Sequence, residues 1–478
     1  MTAMSRVRLL ALALSALAVA AGGCMNLKRF RADVAASREA ALQAWQQSLA
    51  GHDDPSRPTI RGDLSLEAAQ ILAMGNSKQL LATLQEKEIA AGALTEAWSA
   101  LYPTAALTGT YTRVDQVSSF SAGPQTITIG SLDNYSFALA LRQPVFQGGA
   151  IRAGIRAAKI ATLVADEQVR TIVQAVLFQT RKAYYDVLLA VELVKVSELD
   201  LDLAKRHLDD VEKRFKAGTA KEYDVLRARV EISNIEAELI ERQNTERRGR
   251  AQLLRILGVA QGSQVTLTGK LVHEAISPEL EAAVGKAFRQ RPELFLAEFA
   301  VRLQHQLVRV ARAGWFPMLS VFFTETYAKP DPHSMTNIQW NDAWTAGTSL
   351  AWTLFDGFRT SARVRQERAR LRQREIALLD AEEQVLLEVQ EALLSVEDAE
   401  KLVVSQSANI ERAREGLRLA EVGYRAGATT EVEVLDARQA LSKAQALYYQ
   451  ALYAHMMTRL MLEKATGDLE SRGKEAGR

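Results

Sequence analysis

Apolar residues in this chain recur at two periods. The first is that of a helix seam: Leu201, Ala204, Leu208, Val211 and Phe215 step by three and four, as do Val225, Ala228, Ile232, Ile235 and Leu239. The same steps return in Ile410, Ala413, Leu417, Ala420 and Tyr424, then in Val434, Ala437, Leu441, Ala444 and Tyr448. Such steps make a coiled-coil seam, with alanines letting helices approach closely. Between the two runs of each pair lies Gly218 or Gly427. Glycine ends a helix in left-handed geometry without steric cost, so each pair reads as a helical hairpin with its tip at the glycine.

The second period is two. Leu107, Gly109, Tyr111 and Arg113 alternate with Thr108, Thr110 and Thr112; Tyr135, Phe137, Leu139 and Leu141 alternate with Ser136, Ala138, Ala140 and Arg142. Further on, Leu319, Val321, Phe323 and Tyr327 alternate with Ser320, Thr324 and Thr326, Phe322 being an exception, and Trp344, Ala346, Thr348, Leu350 and Trp352 with Thr345, Gly347, Ser349 and Ala351. One face is apolar and aromatic and the other small and polar. A transmembrane barrel has this pattern, and so does a soluble sandwich with one wet face. Trp344 and Trp352 are eight residues apart, roughly 26 Å at strand rise, a spacing that suits two aromatic girdles. The segments Val117 to Leu132 and Ala328 to Ile338 are rich in turn residues and read as loops.

These patterns occur twice in the same order. Leu66-Glu67-Ala68-Ala69 returns as Leu280-Glu281-Ala282-Ala283, and Pro103 matches Pro317 at the same offset. After one five-residue length change, Phe146-Gln147-Gly148 matches Phe355-Asp356-Gly357, and the register holds through Gly218/Gly427 to Gly258/Gly467. Each half reads as helix, two strands, very long helix, tip and long helix. The first helix is expected over about Leu64 to Leu101, and over about Pro278 to Phe316 in the second half. The helix leading to each tip, Phe146 to Gly218 and Phe355 to Gly427, would be about 108 Å long.

Composition narrows the function classes. The 478 residues carry a net charge of +2, which gives no pull toward nucleic acid. The six histidines have no metal-ligand spacing, and no nucleophile-base set or phosphate loop appears, so the sequence offers no enzyme and no cofactor. The single cysteine, Cys24, follows Arg6, Arg8, an apolar run from Leu9 to Ala21, Gly22 and Gly23. That is a secretory signal peptide, too short in its apolar part to span a membrane. It resembles a bacterial lipobox, though Ala21 stands where leucine is commonest; acylation of Cys24 is the expectation, against an unmodified exported cysteine. The divisions expected are 1–23 signal peptide, 24–63 lipid-anchored lead-in with a short helix near Ser37 to Ala50, 64–258 first repeat, 259–279 linker with a short strand at Gln264 to Thr268, 280–467 second repeat and 468–478 charged tail.

The chain is thus mainly α with β: duplicated long helical hairpins plus four membrane strands. Four strands cannot close a barrel, and an open edge in lipid leaves backbone groups unpaired at several kcal/mol each. Membrane strands here demand a homo-oligomer. At this point the chain resembles the TolC-like outer-membrane efflux proteins, in their lipid-anchored branch, over about residues 64 to 467. The residues that carry the resemblance are Phe-Gln-Gly-Gly at 146 to 149, Phe-Asp-Gly-Phe at 355 to 358, Asn76 with Leu80, Arg291-Pro292-Glu293-Leu294, and the paired tips.

The resemblance implies a homotrimer whose strands close a twelve-stranded barrel in outer-membrane lipid, continued through the periplasm by an α-barrel tunnel. It implies a passive conduit for small molecules or proteins, docked by a periplasmic adaptor and an inner-membrane pump. It places Ala217-Gly218-Thr219 and Ala426-Gly427-Ala428 at the adaptor and makes Asp224, Tyr424, Glu433 and Asp436 the periplasmic gate. Glu433 and Asp436, three apart on one helix face, would form stacked carboxylate rings that favour cations. A basic partner found in some members falls at Thr429. Ordinary helix N-terminal acids and a C-cap glycine would account for the same residues. The alternative class is an exported coiled-coil adaptor or adhesin without a pore, which explains the helices but not the strands.

Overall fold

The structure, a computed structural model, describes residues 27–49, 58–122, 125–276, 279–334 and 336–469. The signal peptide and Cys24 lie outside these residues. The lead-in helix, α1 (Leu27–Leu49), starts ten residues before the position expected.

The first half opens with β1 (Arg61–Leu64), α2 (Leu66–Asn76) and α3 (Lys78–Ser99). One helix was expected over this stretch, and two are found. Ser77 is extended, and its Oγ accepts from Leu80 N, so it stops α2 and caps α3. The segment Val117 to Leu132, expected as a loop, contains a short hairpin of β3 (Ser118–Ala122) and β4 (Gln125–Ile129) between β2 (Thr104–Arg113) and β5 (Asp133–Gln147). Then follow α4 (Ala150–Lys216) and α5 (Glu222–Leu257).

The linker forms β6 (Gln264–Leu267), which runs parallel to β1. In the second half the expected single helix is again two, α6 (Leu280–Gln290) and α7 (Pro292–Arg312). The break falls at Arg291, because a residue before proline is pushed out of helical geometry and Pro292 suits the first helical position. After β7 (Met318–Lys329) and β8 (Asn341–Ala351) come α8 (Arg359–Arg425) and α9 (Glu431–Ala465). The helices α4 and α8 have 67 residues each, about 100 Å. Among the described residues no helix is long and apolar enough to cross a membrane.

The four main strands form one antiparallel sheet in the order β2-β5-β7-β8. Its helices keep that order. Toward the sheet, α3 packs on α4, α4 on α7 and α7 on α8; toward the tips, α5 packs on α4, α4 on α9 and α9 on α8. The protomer is therefore four columns: β2 with α3 and α5, β5 with α4, β7 with α7 and α9, and β8 with α8. The two outer columns each have an open side.

The hairpin seams pack as their spacing predicts except at Phe215, which is exposed. Ala204, Val211, Val225, Ala228 and Ile235 are buried in the first hairpin; Ile410, Leu417, Val434, Leu441 and Ala444 are buried in the second. The largest core lies midway, where α2, α4, α5 and the β1-β6 pair meet around Leu64, Tyr184, Val187, Leu253 and Leu257. There the Tyr184 hydroxyl donates to Leu64 O and accepts from Gly269 N, both at 3.0 Å. Asn76 Nδ2 donates to Leu257 O at the end of α5. This core joins the two arms of the first hairpin, and a second core around Ala287, Val389, Val396 and Leu462 joins those of the second.

Candidate functional site

Two regions stand out: the tips and the sheet. At the tips Gly218 and Gly427 have φ of 76° and 75°, and a Cβ on either would meet no atom within 4 Å. Backbone geometry alone therefore favours glycine there. The first turn is closed by Thr219 N and Oγ1, both donating to Arg214 O; the second by Ala428 N donating to Gly423 O. Ala217, Gly218, Thr219, Ala426, Gly427 and Ala428 are all exposed.

The four candidate gate residues do not form one cluster. Asp224 Oδ2 accepts from Lys221 N at 2.9 Å, and Glu433 Oε2 accepts from Thr430 N at 2.7 Å. Both acids therefore close the first turn of the helix after the tip. Thr430 Oγ1 accepts from Glu433 N in return, whereas Lys221 has no side-chain acceptor. Asp436 is exposed one turn beyond Glu433. Tyr424 does not bond Asp224. Its ring lies under the Arg214 guanidinium at 4.3 Å, and burial, with Glu431 adding, pushes its phenol above the ordinary value. Thr429 Oγ1 donates to Ala420 O, so it stays within its own hairpin.

Sequence reasoning missed the contacts that join the two hairpins. Arg438 is 6% exposed and its Nη2 donates to Asp200 O at 3.2 Å, with Asp200 Oδ1 at 3.7 Å. Its Nε and Nη1 find no acceptor. Burial raises the Asp200 carboxyl although Arg438 opposes it. His207 Nε2 lies 3.4 Å from Glu431 Oε1. Together with Arg214 over Tyr424, three polar contacts connect residues 200–214 to residues 424–438. The partners are more than two hundred residues apart, and no local spacing marks them.

On the sheet, the register places Leu107, Tyr111, Tyr135, Phe137, Leu139, Leu141, Val321, Phe323, Tyr327, Trp344 and Leu350 on one face, with Thr108, Thr110, Thr112, Ser136, Thr324, Thr326, Thr345 and Ser349 on the other. Trp344 is 67% exposed and stacks with Phe323. Trp352 lies just past the end of β8, where its Nε1 donates to Trp315 O at 3.1 Å. The aromatic band at the loop end also holds Trp340, stacked on Tyr327 at 5.0 Å and near Tyr135 and Phe137. Trp340 precedes its strand, so a period of two could not find it.

The sequence profile of the outer membrane efflux protein family matches residues 71–259 and 283–468, once in each half. The chain belongs to this family. TolC of Vibrio cholerae serotype O1 is 23% identical over 403 residues, covering 83% of this chain and 89% of its own. OpmQ of Pseudomonas aeruginosa, a pyoverdine export outer membrane protein, is 25% identical over 441 residues, covering 90% and 91%. Among solved structures, VceC of Vibrio cholerae superposes with a TM-score of 0.72 at 19% identity, covering 84% of this chain and 96% of its own. The open MtrE channel of Neisseria gonorrhoeae gives 0.72 at 18%, covering 84% and 89%. The protein is an outer-membrane efflux channel of the TolC-like fold, a conduit and not an enzyme.

Proposed function

We propose that three copies of this chain close a twelve-stranded barrel and an α-barrel tunnel, a passive path across the periplasm that an adaptor and an inner-membrane pump open at the hairpin tips. The observation that carries this is that the sheet and the helical layer are open on the same two columns. Among the described residues β2 and β8 each have a single strand neighbour, and the helices below them have a neighbouring long-helix column on one side alone, the short α2 and α6 aside. Those helices hold apolar side chains in water, Leu226 and Val230 on α5 and Leu394 and Val404 on α8. A second copy satisfies both edges at once: β8 meets β2 in lipid, where an open edge is costly, while α8 meets α3 and α5 below. A poreless adhesin leaves the sheet's apolar face without a partner. Detergent-solubilised protein should have the mass of a trimer and form pores in planar bilayers; a monomer without conductance sinks this reading.

At the tips, Ala217 to Thr219 and Ala426 to Ala428 are the adaptor contacts in this reading. Glu433 and Asp436 of the three subunits form stacked carboxylate rings in this reading. A capping acid uses one oxygen on the backbone and leaves its charge in place, so capping and gating are compatible for Glu433. Glutamine also serves at that position, which separates the roles. Channels carrying Glu433→Gln and Asp436→Asn should fold normally and be blocked severalfold less by a multivalent cation. Unchanged block in single-channel recordings removes the ring.

A further inference from the structure

The sheet face that the trimer turns inward is almost free of charge. The strands hold six charged residues, and the register places Arg113, Asp133, Glu325, Lys329 and Asp342 on the outward face. Arg142 alone points inward. It lies on one rung with Thr104, Phe322 and Gly347, close to where β5 ends and the tunnel begins. Phe322 leans over Gly347, where a Cβ would come within 2.9 Å of its ring. Arg142 is exposed, and among the described residues its guanidinium has no ion pair or hydrogen bond. Below the sheet the sign continues. Residues 359–374 contain seven arginines and one acid, Glu367; Arg363, Arg365, Arg368 and Arg374 are exposed and have no ion pair among the described residues.

We propose that Arg142 of each subunit forms an anion-selecting ring at the junction of barrel and tunnel. The ring rests on the trimeric reading above. Twelve strands about 4.8 Å apart and tilted by about 40° enclose a wall of roughly 12 Å radius. An arginine reaching about 6 Å inward leaves its guanidinium about 6 Å from the axis. That is inside the Debye length of about 8 Å at physiological salt, so all three charges act on a solute at the axis. Rings of arginine favour anions, and guanidinium matches phosphate or carboxylate oxygens in a bidentate manner. The solute class is a multivalent oxyanion or a compound bearing carboxylate or phosphate groups. The conduit then has an acidic narrows at the tip and a basic ring at the membrane.

The test is single-channel recording of the full-length protein in planar bilayers. The long polar tunnel cannot cross lipid, so protein added on one side leaves its barrel mouth facing the other. Inorganic tripolyphosphate added on that far side should block the wild type. Arg142→Gln should keep wild-type open conductance and insertion frequency, weaken the block severalfold, and shift the reversal potential in a salt gradient toward cation preference. Arg142→Lys, which keeps the ring's charge but not the bidentate fork, should retain more of the block than Arg142→Gln. Raising salt should weaken the wild-type block as the Debye length shrinks. Equal block in wild type and Arg142→Gln overturns the ring and leaves the channel standing. A wild type that inserts no pores overturns the channel reading, and the ring with it.

Discussion

The second arms of the two hairpins carry arginine at matching positions, and the two arginines behave differently. Arg229 on α5 is 60% exposed at its side chain and pairs with Glu212 of its own hairpin at 2.8 Å. Arg438 on α9 is buried and crosses to Asp200 of the other hairpin. The same holds for their neighbours: Phe215 and Glu222 are exposed, while Tyr424 and Glu431 meet Arg214 and His207. Duplication supplied one geometry twice. Position among the columns decided which copy became an internal joint, since α9 lies between α4 and α8 and α5 lies at an edge.

The comparison breaks most directly at Arg438. Replacing Arg438 with alanine leaves Asp200 buried without its cation and cuts one of three joints between hairpins. The expected cost is about 2 to 3 kcal/mol, read as a lower unfolding midpoint in detergent, with a severalfold rise in single-channel conductance as the tips part. Arg229→Ala removes a surface pair and should cost less than about 1 kcal/mol with unchanged conductance. Equal effects of the two substitutions would mean that burial and crossing do not distinguish the hairpins.

A smaller effect lies higher on the same arms. Glu246 on α5 bonds Arg250 near the surface, while the matching residue on α9, His455, is fully buried. His455 Nε2 donates to Glu274 O at 3.1 Å, its Nδ1 has no partner, and the His273 ring is 4.8 Å away. Burial lowers the His455 imidazole below its ordinary 6.5, with His273 and Arg459 acting the same way and Glu274 O and Glu400 opposing. Below pH 6.5 the unfolded chain binds a proton that the folded chain refuses. Stability therefore falls as pH drops from 6.5 toward the folded value, by up to about 1.4 kcal/mol per unit. His455→Gln, which can still donate to Glu274 O, should flatten that slope in thermal unfolding between pH 7 and pH 5. A slope that is unchanged assigns the acid sensitivity elsewhere.

Much of this architecture was legible because local periods carry it. The seams through Val211 and Leu417 and the alternation through Phe137 and Trp344 lie within single elements, so spacing alone reveals them. The breaks at Ser77 and Arg291 were also encoded, in a capping serine and a residue before proline, but the helical periodicity running through them masked the stop. The pairing of β1 with β6 is another matter. It joins four-residue strands two hundred residues apart; a strand was expected at Gln264 to Thr268, but β1 has no pattern of its own and nothing local marks the pair. Arg438 belongs to the same class. On sequence it is one more charge on a helix face, and only the packing of α9 against α4 makes it a buried joint.

The smallest expected effect tests whether the joints are missing at the subunit boundary. In the proposed trimer α5 would meet the neighbour's α8, where the residues matching Asp200, His207 and Arg214 are Asn409, Gly416 and Gly423. In that arrangement Arg229, Glu222 and Phe215 would face a surface that holds none of the matching partners. Tip opening should then proceed by whole protomers parting at their boundaries, with each hairpin pair moving as a unit. Asn409→Asp restores the acid opposite Arg229. At a partly exposed boundary the new pair is worth a few tenths to about 1 kcal/mol. It should lower open conductance modestly at low salt and lose that effect as salt is raised. Combining it with Arg229→Ala should return wild-type conductance, because the added acid then has no cation to meet. A conductance drop that survives Arg229→Ala would place the boundary elsewhere, and the two arginines would no longer mark the inside and the edge of one protomer.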